Sequence, residues 1–168
     1  SATITIGNAI PSMTTVTVAP TSGTEATTFT CSGSGFSDLD NDPEGYDYQW
    51  YVNSSASVTT ASIDGNDFNR DQQIRCDVRP NDGQGGIGLP VSSSTITIQN
   101  TAPGAPTATI TPSNPNASQD LTCSVLVDSV DIDNDSVSYS YSWTNGTLTA
   151  TGASLTAINT TAGDTWTC

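Results

Sequence analysis

Tyr46-Asp47-Tyr48-Gln49-Trp50 alternates large aromatic residues with polar ones, and Tyr139-Ser140-Tyr141-Ser142-Trp143 does the same. Successive side chains of a β-strand leave opposite faces of the sheet. Each stretch therefore predicts a half-buried strand, with Tyr, Tyr and Trp on one face and Asp47, Gln49, Ser140 and Ser142 on the other. Working outward, Thr15–Ala19, Thr28–Ser32, Ile74–Val78 and Ser94–Ile98 read as further strands rich in Thr, Val and Ile. No segment long enough for a helix carries helical periodicity, and the connections are full of Gly, Pro, Asn and Asp. Short strands spaced roughly every ten residues predict an all-β chain of sandwich type.

The two aromatic stretches belong to a longer correspondence. Ala2-Thr-Ile-Thr-Ile-Gly-Asn8 returns as Ser94-Thr-Ile-Thr-Ile-Gln-Asn100, an offset of 92 residues. Pro11 and Pro103, Pro20 and Pro112, and Cys31 and Cys123 keep that offset. Asp38–Asp42 returns as Asp131–Asp135, and Tyr46–Trp50 as Tyr139–Trp143, at 93, before Cys76 and Cys168 restore 92. So many landmarks in one order read as an internal duplication with one inserted residue. In this register residues 1–8 are the last strand of a preceding repeat and 9–100 are a complete repeat. Residues 101–168 are a second repeat lacking its final strand, the expected appearance of a window from a longer array. Residues 1–8 and 101–168 are then each expected to be incomplete without neighbouring chain.

Composition narrows the function. The chain has 168 residues, room for about two domains of roughly 100 residues, and an apolar fraction of 34%. Its 17 acidic residues face three cations, Arg70, Arg75 and Arg79, with no lysine or histidine, giving a net charge of −14. Such a surface repels nucleic acid and anionic membranes. No apolar run approaches the roughly 20 residues needed to span a bilayer, so direct membrane insertion is not expected. The absence of histidine and lysine removes the imidazole base, the common zinc ligand and the Schiff-base amine. No enzyme and no organic cofactor are expected. Four cysteines in a Thr-, Ser- and Asn-rich chain fit an oxidising, extracellular setting. The Asn-x-Ser/Thr triplets at Asn53, Asn116, Asn134, Asn145 and Asn159 are candidate glycosylation sites in that setting.

Each Cys pair is separated by 45 residues with a Trp between: Cys31, Trp50, Cys76 and Cys123, Trp143, Cys168. This spacing resembles the immunoglobulin-type sandwich, in which two cysteines bridge the sheets and the Trp packs on them. Of the three possible pairings, the equal spacing favours Cys31–Cys76 with Cys123–Cys168; buried free cysteines are the other reading. Further stretches carry a closer resemblance: Asn100-Thr-Ala-Pro103, Ile110-Thr-Pro-Ser-Asn-Pro115, Leu121-Thr-Cys-Ser-Val125 and Gly163-Asp-Thr-Trp-Thr-Cys168. Together with Asp131–Asp135 and Tyr139–Trp143 they resemble the immunoglobulin-like tandem repeats of very large bacterial and archaeal cell-surface proteins. The match is near-complete over 100–168 and looser over 8–100. That resemblance implies an extracellular module of adhesins, stalks or filaments. The polycystic-kidney-disease type of repeat is not resembled, since its W-D-F-G-D-G motif is absent.

One constellation has ligand-like spacing. Asp38, Asp40 and Asp42 alternate with Glu44 beyond them, and Asp131, Asp133 and Asp135 repeat the pattern with Asp128 nearby. Alternating carboxylates in a loop suit Ca²⁺, which takes 6–8 oxygen ligands. In the resembled fold, Asn81-Asp82-Gly83 and the linkers at Gly7–Pro11 and Gln99–Pro103 share the same end as this loop. A cation there would stiffen an array in the manner of cadherins. The other reading is ordinary turn chemistry, in which Asp and Asn bond their own backbone and stay solvated. Neither copy has the Gly and Glu spacing of an EF-hand.

The expected function is structural, as a rod, stalk or filament on or outside a cell. The alternative is a Ca²⁺-dependent adhesive or carbohydrate-binding module of a large surface adhesin. Neighbouring repeats, in the same chain or in other copies by self-assembly, are the expected partners, with surface glycans as a further candidate. Trp50, Trp143, Trp166 and the tyrosines read as core residues before they read as a sugar platform.

Overall fold

The alternating stretch at Tyr46–Trp50 forms the centre of β3 (Gly45–Val52) in the computed structural model, which describes residues 1–168. The chain is all-β and divides into two compact units, Ser1–Thr101 and Ala102–Cys168.

In the first unit, β1 (Thr15–Ala19), β2 (Phe29–Ser34) and β5 (Ser62–Ile63) make one antiparallel sheet in the order β1-β2-β5. A second sheet runs β4-β3-β6-β7, from β4 (Ser55–Ala56), β6 (Gln73–Asn81) and β7 (Val91–Ser92), with β8 (Ile96–Thr97) also on β6. The longest ladder pairs β3 with β6, from Gly45 opposite Asn81 to Val52 opposite Ile74. Trp50 lies opposite Cys76, and both are fully buried. Phe29, Phe68, Ile63, Ile74, Val78 and Ile98 complete the buried interior. The Trp50 indole N–H is satisfied by Thr60 C=O at 3.0 Å. The outer face of β3 and β6 holds the charges: Asp47 stands opposite Arg79, and Arg75 bonds Asp77 at 3.0 Å while stacking 4.7 Å from the Tyr51 ring centroid.

Cys31 on β2 and Cys76 on β6 are disulfide-bonded, so the bridge ties one sheet to the other. This is a sandwich-like arrangement with the disulfide at its centre. Closing a loop of 45 residues restricts the unfolded chain by about 4 kcal/mol on the chain-entropy estimate.

The second unit is smaller. β9 (Thr107–Thr111), β10 (Leu121–Val127) and β13 (Ser154–Leu155) form a sheet in the order β13-β10-β9, and β11 (Ser142–Thr144) pairs with β12 (Thr149–Thr151). A single 3₁₀ turn covers Ala157–Asn159. Leu121, Cys123, Trp143 and Leu155 are its buried core, and Cys123–Cys168 is bonded. The Trp143 indole donates to Gly152 C=O at 3.0 Å.

Two strand expectations differ from the structure. Residues 1–11 form no strand, and Ile4 and Ile6 are 89% and 83% exposed, because no strand lies alongside to bond their backbone. Tyr139–Tyr141 also lie outside a strand. In the first unit the matching half of β3 pairs with Asp77–Pro80, whereas Tyr139 and Tyr141 have no strand alongside them. The second unit retains only the antiparallel bridge of Thr144 with Thr167. Both cysteine pairs are oxidised, which fits a non-reducing compartment. No helix is long and apolar enough to cross a membrane.

Candidate metal centre

The loop between β2 and β3 gathers three carboxylates. Asp38 Oδ1 accepts the N–H of Asp40 at 2.8 Å and of Asp42 at 3.5 Å, folding the segment around one oxygen. Asn41 takes the left-handed conformation that this tight curl requires, with φ of 61°, as Asn does more readily than most residues. The result brings Asp38, Asp40 and Asp42 together, with one oxygen from each within 4.8 Å of the others. A cation bound at 2.3–2.6 Å spans roughly 4.6–5.2 Å between opposite ligands, so this spacing matches one Ca²⁺. Asp38 Oδ2 is buried and has no hydrogen-bond partner. A carboxylate oxygen removed from water without a donor or cation is costly, which marks this atom as the most ligand-like in the unit.

The second loop repeats the geometry. Asp131, 7% exposed, accepts Asp133 N–H at 2.9 Å and Asp135 N–H at 3.3 Å through Oδ1. Asn134 has φ of 60°, and Asp131, Asp133 and Asp135 again lie within 4.8 Å of one another.

Other candidate ligands take different roles. Glu44 lies outside the triad and accepts the Tyr46 hydroxyl at 2.6 Å. Burial and that bond push the Tyr46 hydroxyl up to about 12. Asp128 accepts from Tyr139 at 3.3 Å and stands apart from Asp131–Asp135. Asp82 is fully buried, and both of its oxygens are occupied: Oδ2 by Asn8 Nδ2 at 2.7 Å, Oδ1 by Gln84 N–H at 2.7 Å and Gly86 N–H at 2.9 Å. A Cβ on Gly86 would fall 2.0 Å from Asp82 Oδ2, so glycine alone lets this loop close on the carboxylate. Asp82 is thus a brace that ties the segment entering the unit to the loop after β6. Ala9 N–H adds a second tie, to Asp40 Oδ2 at 2.5 Å. The expected convergence of the Asp38–Asp42 loop, the Asn81–Gly83 turn and the Gly7–Pro11 linker is present. Asn8 as Asp82's donor was not legible; its only sequence signal is its recurrence as Asn100.

The electrostatics separate the two kinds of carboxylate. Burial, then the Asp38, Asp40 and Asp82 charges, raise the Asp42 carboxyl above its ordinary value. Burial also pushes Asp82 up, but the bonds from Asn8, Gln84 and Gly86 outweigh it and hold Asp82 below its ordinary value. A depressed carboxyl stabilises the fold above its unfolded value, near pH 3.9, and that contribution fades as pH falls through the folded value. Asp42 has the opposite sign, since its protonation relieves the cost of burying its charge and then the repulsion of its neighbours. Asp82→Ala is therefore expected to lower the melting temperature of the first unit by several degrees at neutral pH, with the deficit shrinking in acid. Thermal melts at neutral pH and below pH 4 check this, and an unchanged melting temperature at neutral pH would contradict the bracing role.

The tryptophans are poorly placed for a sugar platform, as Trp50 and Trp143 are 0% and 1% exposed and only Trp166 is half-exposed. Asn53, Asn116, Asn134 and Asn159 are exposed, while Asn145 is half-buried and caps its own turn through Thr147 and Leu148 N–H. No protein-family model, curated protein or solved structure matches the chain.

Proposed function

We propose that the chain is built of immunoglobulin-like sandwich repeats and serves as extracellular structural material, a rod, stalk or filament, with Ca²⁺ stiffening the end where the chain enters each unit. The observation that carries the reading is the sheet order β1-β2-β5 against β4-β3-β6-β7, with a Cys31–Cys76 bridge between the sheets and Trp50 beside it. That order supports the reading, since an immunoglobulin-type sandwich sets strands A, B, E and D against C, F and G around such a bridge. The second disulfide, at the same separation of 45, and the second acidic triad support the tandem reading. Asp38, Asp40 and Asp42 would hold the cation, and Ala9, bonded to Asp40, couples it to the entering segment. The ion would neutralise the mutual repulsion that, after burial, raises Asp42.

The adhesive alternative has less behind it. A groove of about 300 Å³ on the outer face of β3 and β6 is lined by Tyr48, Tyr51, Asp77 and Arg79, but Arg75 already covers the Tyr51 ring.

Calorimetric titration of the oxidised chain with millimolar Ca²⁺, paired with thermal melting, tests the cation. Binding with a rise in melting temperature is expected, and Asp38→Asn should abolish both for the first unit. At a Ca²⁺ concentration of 100 times Kd the stabilisation is about 2.7 kcal/mol. Neither heat nor a melting shift would remove Ca²⁺ from the proposal. Retention on a glycan array would overturn the purely structural role in favour of adhesion.

A further inference from the structure

In the first unit β1 is the edge of its sheet, with β2 on one side and no strand on the other. The alternation of an antiparallel ladder fixes which of its backbone groups are left over. Cys31 N–H donates away from β1, to Ala61 C=O at 2.8 Å. Thr30 and Ser32 therefore turn their N–H and C=O toward β1, where they stand opposite Ala19 and Thr17. Val16 and Val18, which alternate with those residues, direct their own N–H and C=O to the open side.

A groove of about 200 Å³ runs along that side, between Val16 and Val18 on one wall and Ser94–Ile96 on the other. The last strand is interrupted beside it. Cys76 N–H bonds Ser93 Oγ at 3.0 Å instead of a main-chain carbonyl, so β6 pairs as far as Ser92 and resumes only at Ile96. The groove gives a further strand room alongside β1. Within Thr15–Ala19 there is no charge, proline or bulge, the usual devices that blunt an edge. At five residues β1 is also longer than β4, β5, β7 and β8, which have two residues each.

Charge selects the occupant. The residues of β1, β2 and β5 are all uncharged, and their outward positions are Thr15, Thr17, Thr30, Ser32, Ser34 and Ser62. The other sheet of the unit carries Asp47, Asp77, Arg75 and Arg79 on its outer face. In a chain of net charge −14, another copy can approach the β1-β2-β5 sheet without bringing carboxylates together.

We propose that two copies of the chain pair antiparallel through β1, about a two-fold axis at Thr17. Val16 N–H donates to the partner's Val18 C=O and Val18 N–H to the partner's Val16 C=O, and the partner returns both bonds. The four edge groups of each copy are then satisfied, the self-complementarity that an isologous contact needs. The order β5-β2-β1 continues into the partner's sheet by strand addition. β9 is the matching edge of the second unit, but Ala108 is exposed and Ile110 half-buried where Val16 and Val18 are buried, so β1 is the better seated. Such pairing would tie rods side by side. That consequence rests on the proposed rod, whereas the pair itself does not.

Sedimentation of the full oxidised chain at rising concentration tests the pairing, in chelator and in about 0.15 M salt, where the Debye length is roughly 8 Å. The mass is expected to double and stop there. Thr17 is exposed, so Thr17→Lys and Thr17→Glu should leave both disulfides and the circular dichroism unchanged. Each places like charges directly opposite at the axis and should weaken association by about fivefold. An equimolar mixture of the two variants should restore the pair, because Lys then meets Glu. Monomers at every concentration overturn the proposal, as do pairs indifferent to both substitutions or variants that fail to recover on mixing. Chelator keeps this outcome separate from the Ca²⁺ titration, so the two proposals fall separately.

Discussion

Replacing Cys31 and Cys76 together by Ala is expected to destabilise the first unit by about 4 kcal/mol, measured as the loss in urea unfolding free energy. The bridge closes 45 residues, and its release returns that loop's conformational freedom to the unfolded chain. Both cysteines are buried, 2% and 0% exposed, so the substitution also removes packed volume beside Trp50 and Ile74. Comparison with the reduced parent chain separates the two effects, because reduction opens the loop and leaves the sulfurs in place. The expected loss is large against the ~5–15 kcal/mol that a small domain possesses. A chain only 34% apolar, with thin two-layer cores, has little else to compensate. A loss below about 1 kcal/mol would mean that the unfolded chain is already held compact, and the entropic account would be wrong.

The centre of this fold was legible because it is governed by period and spacing. Alternation at Tyr46–Trp50 requires a strand with one buried face, and the ladder of β3 with β6 has that face inward at Trp50. β1 runs over Thr15–Ala19 as its β-branched residues imply, and equal Cys spacing gave the pairing. What failed depends on partners rather than on propensity. Thr3–Ile6 has the same sequence as Thr95–Ile98, yet one is unpaired and the other lies on β6, since a strand is stable only beside another. Tyr139 and Tyr141 fall out of a strand for the same reason. In the acidic loop, both sequence readings describe the same side chain. Asp38 Oδ1 does turn chemistry by accepting Asp40 and Asp42 N–H, while Oδ2 is buried with no partner. Glu44 and Asp82 were grouped with the triad by proximity in sequence and topology. Their oxygens are directed elsewhere by Tyr46 and Asn8, contacts that no spacing rule encodes.

Trp143→Ala is expected to remove the cooperative transition of the second unit altogether while the first unit keeps its own. Trp143 is 1% exposed in a core that otherwise contains Leu121, Cys123 and Leu155. Truncating a buried Trp costs about 3–5 kcal/mol, and this change also leaves Gly152 C=O without its indole donor. A unit whose Tyr139–Tyr141 segment has no ladder has little reserve to absorb that loss. Hydrogen exchange resolved by residue should show Leu121–Val127 losing protection while Gln73–Val78 remains protected. Persisting protection over Leu121–Val127 would mean that the Cys123–Cys168 bridge alone holds the unit together.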